Sequence, residues 1–407
     1  MKQSTAFGIV AATSFLALTC LACKKGGEER SETKAAVRSE AEIKIGQTMP
    51  YSGPASSYGT VGKLQAAYFK KLNAKGGVGG HKINFITVDD GYSPPKTVEQ
   101  TRKLVEQEQV LLVFQPLGTA PNAAIQDYLQ TKKVPQLFVA TGATRWGDPE
   151  HHPWTMGFNP SYQLEGSTIA KHLMSAQSGS KIAVLYQNDD YGKDYLKGLK
   201  AGLADKAKMI VAEATYEVSD ATVDSQIATL KGSGADTFVN ITTPKFGAQA
   251  IRKAYDIGWK PTHYLSNVSA SVGTVLTPAG LDKSVGLVTV AYYKDPTDKQ
   301  WNDDPAMKEF ITFMKEDYPE GSLSDSFHIY AYIAAQTMVQ VLTQCGADLS
   351  RENIMKQAAN LDFAPGLLLP GIRIKTSPTD FFPVEQLRLV RFDGKDWVLF
   401  GDVLSAN

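Results

Sequence analysis

KIAVLYQNDDYG, residues 181–192, is an apolar run that ends abruptly in amides and carboxylates. Lys181 to Tyr186 has the length and aliphatic content of a β-strand. Asp189 and Asp190 follow at what reads as a helix start, where the positive end of the helix dipole favours acids. A helix is expected from Tyr191 to Ala204. Strand, polar turn and helix, in that order, form the repeating unit of a parallel α/β sheet.

The unit recurs on both sides. Upstream, strands are expected at Ile43 to Thr48, Lys82 to Asp89, Val110 to Gln115 and Gln136 to Ala140. The intervening helices run from a Ser56 or Ser57 cap to about Ala74, from Ser93 to Glu108, and from Pro121 to Lys132. Gly76 to Gly80 follows a helix and reads as its stop, not as a phosphate cradle. A second series opens with a helix at Tyr162 to Ala176. It continues through strands at Met209 to Tyr216, Thr237 to Ile241 and His263 to Ser266, with helices at Thr222 to Lys231 and Phe246 to Ile257. The layout occurs twice, with no residue-level repeat.

The rest completes these two halves. Val285 to Tyr293 is strand-like, and Asp303 to Lys315, Asp325 to Thr343 and Glu352 to Asn360 are helical. Strands then follow at Ile372 to Lys375, Gln386 to Phe392 and Trp397 to Val403, with Asp393-Gly394 as a hairpin turn. The expected fold is α/β: two Rossmann-like lobes with parallel sheets, joined by a three-stranded hinge crossing near Phe158, Thr289 and Phe363. The lobes are residues 43–158 plus 290–362, and 159–289 plus 363–407.

At 407 residues the chain exceeds one ordinary core. Its 42 basic and 42 acidic residues cancel. That argues against nucleic acid as a partner and removes any net pull toward anionic lipid. Lys2, the apolar run from Ala6 to Ala22, and Cys23 read as a signal peptide over residues 1–22. Cys20-Leu21-Ala22-Cys23 resembles the bacterial lipoprotein cleavage box; the expectation is a lipid on Cys23, the alternative plain cleavage after Ala22. Residues 23–42 are too polar to bury a core and read as a tether. No later segment is long and apolar enough to span a bilayer, so membrane contact is expected only through that lipid. Cys345 is left without a partner and reads as a buried, inert thiol.

Catalytic signatures are missing. There is no dinucleotide-binding glycine turn after a strand, no Gly-Lys-Ser/Thr phosphate loop and no Gly-x-Ser-x-Gly turn. His151 and His152 read as an exposed loop pair, Asp303-Asp304 as a helix start and Asp89-Asp90 as loop or capping acids. No catalytic residue, cofactor or metal is expected. What remains is a set of polar loops after the predicted strands, where open α/β sheets bind ligands. They carry Tyr58; Gly118 and Thr119; Thr141, Gly142 and Thr144; Tyr191; Thr243 and Phe246; and Asn267. Hydroxyls and helix N-termini there suit a small carboxylate or other polar solute, with Tyr58, Tyr191 and Phe246 stacking on it.

Several spaced motifs together resemble the type I periplasmic binding proteins, in the leucine/isoleucine/valine-binding branch. They are Gly53-Pro54 through Tyr58-Gly59, Asn73 with Gly76-Gly77-Val78 and Gly80, Asp89-Asp90 before a proline-bearing helix, and Asp190-Tyr191-Gly192. The resemblance covers about residues 43 to 404. It implies a monomeric receptor outside the cytoplasm that closes around a small molecule and delivers it to an ABC permease in the membrane. It places Tyr58 beside the ligand, Thr119 and the Thr141 to Thr144 loop at a ligand carboxylate, Tyr191 as a closing aromatic, and Thr243 near another contact. Asn267 falls about where amino-acid binders carry a glutamate for the ligand's ammonium. An amide cannot balance a buried positive charge as a carboxylate does. An aromatic or short carboxylate, an amide or a urea-like solute therefore stands beside amino acids as a candidate. A ligand-sensing subunit of a signalling system shares every one of these features. A hydrolase would need a nucleophile, base and orienter, and no such set is evident.

Overall fold

The computed structural model describes residues 42–176 and 179–405; the expected signal peptide, Cys23 and all but the last residue of the expected tether lie outside them. The described order begins with β1 (Ile43–Met49), α1 (Gly59–Ala74), β2 (Ile83–Asp89), α2 (Pro94–Arg102), β3 (Leu112–Phe114), α3 (Thr119–Thr131), β4 (Gln136–Val139) and β5 (Thr155–Gly157). These strands form a wholly parallel sheet in the order β2-β1-β3-β4-β5. Strand β5 had no sequence signal, because three residues are too few to display a period.

The second series comprises α4 (Tyr162–Ala176), β6 (Ile182–Gln187), α5 (Asp190–Leu203), β7 (Ile210–Tyr216), α6 (Asp224–Gly232), β8 (Thr237–Ile241), α7 (Pro244–Asp256), β9 (Thr262–Leu265), the single turn α8 (Thr277–Ala279) and β10 (Val288–Ala291). Then come α9 (Pro305–Glu316), α10 (Ser326–Cys345), α11 (Arg351–Ala358), the short pair β11 (Asp362–Phe363) and β12 (Ile374–Lys375), and the hairpin β13 (Gln386–Phe392) and β14 (Trp397–Ser405). The second sheet runs β14-β13-β10-β9-β8-β6-β7. It is parallel from β7 to β10, while β13 runs antiparallel to β10 and β14 antiparallel to β13, the last as the hairpin expected at Asp393-Gly394 requires.

Local chemistry explains the boundaries. Asp189 accepts from the N–H groups of Tyr191 and Gly192 and caps α5. Asp304 and Asp325 do the same for α9 and α10. Neither Ser56 nor Ser57 caps α1. Residues 56–58 instead form a 3-10 turn, with Tyr58 N–H bonded to Ala55 O at 3.0 Å, and the helix continues from it. Asp393 Oδ1 accepts from the N–H groups of Lys395 and Asp396 at 2.8 Å each, holding the β13–β14 turn.

Helix α10 packs against α1 and is buried over most of its circumference, which ties residues after β10 back to the first sheet. Each Ile, Phe or Val it buries is worth about 1.5–3 kcal/mol relative to exposure. Cys345 closes this helix as a buried free thiol, and burial pushes its pKa up to about 11. Thr289 lies inside β10 and Phe363 inside β11, and the chain joins the second sheet for the last time at Gln386. Among the described residues no helix is long and apolar enough to cross a membrane.

Both sheets reverse their strand order at one point, between β1 and β3 in the first and between β6 and β8 in the second. At such a switch the following loops leave in opposite directions and open a crevice at the carboxyl ends of the strands. The two crevices share one cleft.

Candidate functional site

Seventeen residues line this cleft. From the first sheet's side come Tyr58 and Val61 at the start of α1, Tyr92 after β2, Leu117 to Thr119 before α3, and Ala140 after β4. From the other side come Tyr162, Tyr191, Thr243, Asn267 and Val268. Asn159, Tyr292 and Tyr293 lie on the connecting segments, and Phe327 and Tyr330 on α10. Eight of the seventeen are aromatic and none is ionised at neutral pH. Burial raises the phenols of Tyr58, Tyr92, Tyr191 and Tyr292 well above the ordinary value, so they stay neutral.

The polar lining comes from both sides: Thr119 from the first, Thr243 and Asn267 from the second, and Asn159 between them. Thr119, the first residue of α3, shares a hydrogen bond between hydroxyls with Thr141 at 2.5 Å. Thr141 Oγ1 also donates to Tyr162 Oη at 3.2 Å. Gly118 precedes the helix with φ 99°, and a Cβ there would lie 2.4 Å from the Tyr92 ring. Only glycine permits both that backbone and that ring position. Tyr292 Oη is buried and, among the described residues, has no hydrogen-bond partner. Tyr330 Oη donates to Asn159 Oδ1 at 2.8 Å, joining α10 to the first connecting segment.

The lobes are bonded across the cleft. Tyr58 Oη donates to Val268 O at 3.0 Å. Thr144 donates to Asp194 twice, from N–H and Oγ1, at 2.8 Å each. Arg145 and Asp190 form an ion pair at 3.2 Å, exposed and therefore weak. Ser271 Oγ donates to Asp325 Oδ1 at 3.0 Å. This is a closed arrangement.

A second layer positions the first. Asp90 accepts from Tyr92 N–H at 2.9 Å and from Thr97 Oγ1 at 2.8 Å, fixing the turn that presents Tyr92. Burial raises the Asp89 carboxyl, but Lys96 and the hydroxyl and N–H of Ser52 more than offset this and hold it far below the ordinary range. Glu165 lies behind Asn267: its Oε1 accepts from Asn267 N–H at 2.6 Å and from Tyr195 Oη at 3.2 Å. Burial pushes Glu165 up to about 7 despite those bonds. The side-chain amide of Asn267 donates to Val290 O at 2.6 Å.

Of the residues singled out from sequence, Tyr58, Gly118, Thr119, Tyr191, Thr243 and Asn267 line the cleft. Thr141 stands directly behind Thr119. Gly142 does not reach the cleft: a Cβ there would lie 2.4 Å from Pro160 O, so its role is to let the connecting segment pass. Thr144 lies at the rim, bonded to Asp194. Phe246 is a correction. It is fully buried in the core of the second lobe, stacked on Tyr216 with centroids 4.4 Å apart. Helix α7 turns its apolar stripe to the sheet, and Phe246 belongs to that stripe. Tyr92, Tyr162, Tyr292, Tyr293, Phe327 and Tyr330 were missed. The only local signal was Tyr92, two residues beyond the acid pair at a strand end. Cys23 falls outside the described residues.

A Leu/Ile/Val-binding protein homolog from Brucella abortus is 24% identical over 320 residues, covering 76% of this chain and 79% of that protein. A branched-chain amino acid ABC transporter protein from Thermus thermophilus, solved with bound valine, superposes with a TM-score of 0.81 at 16% identity, covering 90% of this chain and 97% of the other. A solute-binding protein from R. palustris in complex with benzoate gives 0.76 at 18% identity, over 90% and 98%. At such identities the two structures establish the shared fold. Residues 42–396 match the family described as periplasmic binding protein, nearly the whole described chain, and the chain belongs to that family.

Proposed function

We propose that this protein captures a small monocarboxylate with an aromatic or branched apolar body, and no ammonium group, for delivery to an ABC permease. The observation that carries the reading is the wall of the cleft: eight aromatic rings and no ionised side chain, with two hydroxyls at the N-terminus of α3. An amino acid brings a carboxylate and an ammonium. The helix N-terminus and Thr119 suit the carboxylate. An ammonium would be buried among neutral groups, and leaving a buried charge without a counter-charge is costly. Glu165, which lines a small adjoining space behind Asn267, already accepts two hydrogen bonds. The fold itself accommodates both chemistries, since its relatives include a valine complex and a benzoate complex.

The mechanism is a population shift. A ligand that touches both lobes favours the form in which both are near it, and no bond is made or broken. In this reading the protein is a monomeric receptor and not an enzyme. The hinge comprises residues 158–161, 292–304 and 376–385, the stretches where the chain passes between sheets. The lipoprotein-like box supports an anchor on Cys23, with residues 24–42 as the tether outside the cytoplasm.

The test is the melting temperature of the purified chain with benzoate, phenylacetate, isovalerate, leucine, phenylalanine and benzamide. A ligand at a hundredfold excess over its Kd adds about 2.7 kcal/mol to apparent stability. A shift with one or more acids, and little with the amino acids or the amide, is expected. A larger shift with leucine or phenylalanine sinks the exclusion of ammonium, and no shift with any of the six sinks the assigned ligand class.

A further inference from the structure

Behind the cleft lies a second chamber, lined by sixteen residues. Asn267 and Tyr293 line both spaces and form the partition between them. The chamber is bounded by β10 and the β13–β14 hairpin, by the start of α10, and by the segment after β10. Its apolar lining includes Trp301, Trp397, Val272 and Leu399.

Two observations point to an occupant. Thr289, in the middle of β10, lines the chamber; the residue is 1% exposed, and among the described residues its Oγ1 has no hydrogen-bond partner. Buried hydroxyls are nearly always satisfied, so an unpartnered one on a residue that lines a cavity marks a place for a ligand's polar atom. Asp295 and Asp298 supply the second. Both line the chamber, and neither forms an ion pair with Lys, Arg or His among the described residues. Asp295 Oδ1 is used by Thr297, through N–H and Oγ1 at 2.8 Å each, and Asp298 is used by Gln300. Burial raises the Asp295 pKa, and Asp396 and Asp298 raise it further. An arriving cation would offset the repulsion among these carboxylates.

We propose that this hinge chamber is a second binding site, taking a small primary amine with an aromatic or branched apolar body. The amine would sit at Asp295 and Asp298 with Thr289 Oγ1 in reach, and the hydrocarbon between the tryptophans. The preference is opposite in charge to that of the cleft, so the two sites do not compete for one compound.

The experiment is calorimetric titration of the purified chain with 2-phenylethylamine, isoamylamine and tryptamine, and with N-acetyl-2-phenylethylamine as the neutral control. Saturable one-to-one binding of at least one amine is expected, and none of the acetylated control. Asp295→Asn keeps the acceptor for Thr297 and removes the charge; it should weaken the amine by about tenfold or more, as loss of a charge-assisted bond does. Thr289→Val should weaken it by a smaller factor while leaving the fold's apolar packing intact. Thr119→Val, in the cleft, should leave it unchanged. Absence of saturable binding by all three amines overturns the proposal. So does equal binding of the acetylated control, or binding that survives both hinge substitutions, or binding lost in Thr119→Val and retained in Asp295→Asn.

Discussion

The hydroxyl of Tyr58 donates to the carbonyl of Val268 across the cleft at 3.0 Å, linking two residues 210 positions apart. Tyr58 stands at the start of α1 with its ring packed on Phe327, centroids 5.0 Å apart. Val268 lies just after β9. The bond exists only while the lobes are together, so it belongs to the closed form and not to either lobe's own stability. Tyr58→Phe should leave the melting temperature of the free protein nearly unchanged and weaken ligand binding by about 0.5–1.5 kcal/mol, or roughly two- to tenfold. Calorimetric titration reads this; an unchanged Kd would show that the bond does not contribute to closure.

Thr119 supplies a hydroxyl at the N-terminus of α3, paired with Thr141. Thr119→Val preserves shape and removes the donor. For a carboxylate ligand the loss of a hydrogen bond to a charged group amounts to about 1.5–3 kcal/mol. Binding of the tightest acid should fall by roughly ten- to a hundredfold. Binding of its neutral amide should change much less, and equal losses for acid and amide would place the carboxylate elsewhere.

Phe246 offers the opposite pattern. It is fully buried against Tyr216 and away from the cleft. Phe246→Ala should cost about 3–5 kcal/mol of folding stability in denaturant unfolding. At temperatures where the variant stays folded, its ligand Kd should match the parent's.

Glu165 makes stability depend on pH. Its carboxyl is raised from the ordinary 4.5 to about 7 by burial. Between those values the folded protein holds a proton that the unfolded chain has released, so stability falls as pH rises. The contribution is intact below about pH 4.5 and lost by about pH 7, an effect on the order of 3 kcal/mol. Glu165→Gln removes the titration. Unfolding curves at pH 5 and pH 7.5 should differ less for this variant than for the parent, and an equal difference would assign the dependence to other groups.

The alternation of apolar runs and polar turns determined the two-lobed α/β architecture, because strand and helix periods are local properties of the chain. The hairpin at Asp393-Gly394 and the acid caps at Asp189, Asp304 and Asp325 were readable for the same reason: each acts within three residues of itself. The loops at the strand ends were readable too, and with them Tyr58, Thr119, Tyr191, Thr243 and Asn267. Tertiary structure decided which side chains face the cleft. Tyr330 and Phe327 sit on a helix whose sequence reads as uniform core, and only its position beside the connecting segments turns two of its rings toward the ligand space. Phe246 lies in a loop-to-helix segment after a strand as the other predicted contacts do, yet its helix phase sends it into the sheet. Tyr162, Tyr292 and Tyr293 reach the cleft because the chain crosses between sheets beside it, and pairings that span a hundred residues or more leave no local pattern. Direction depends on what each element packs against, and that is set by the whole fold.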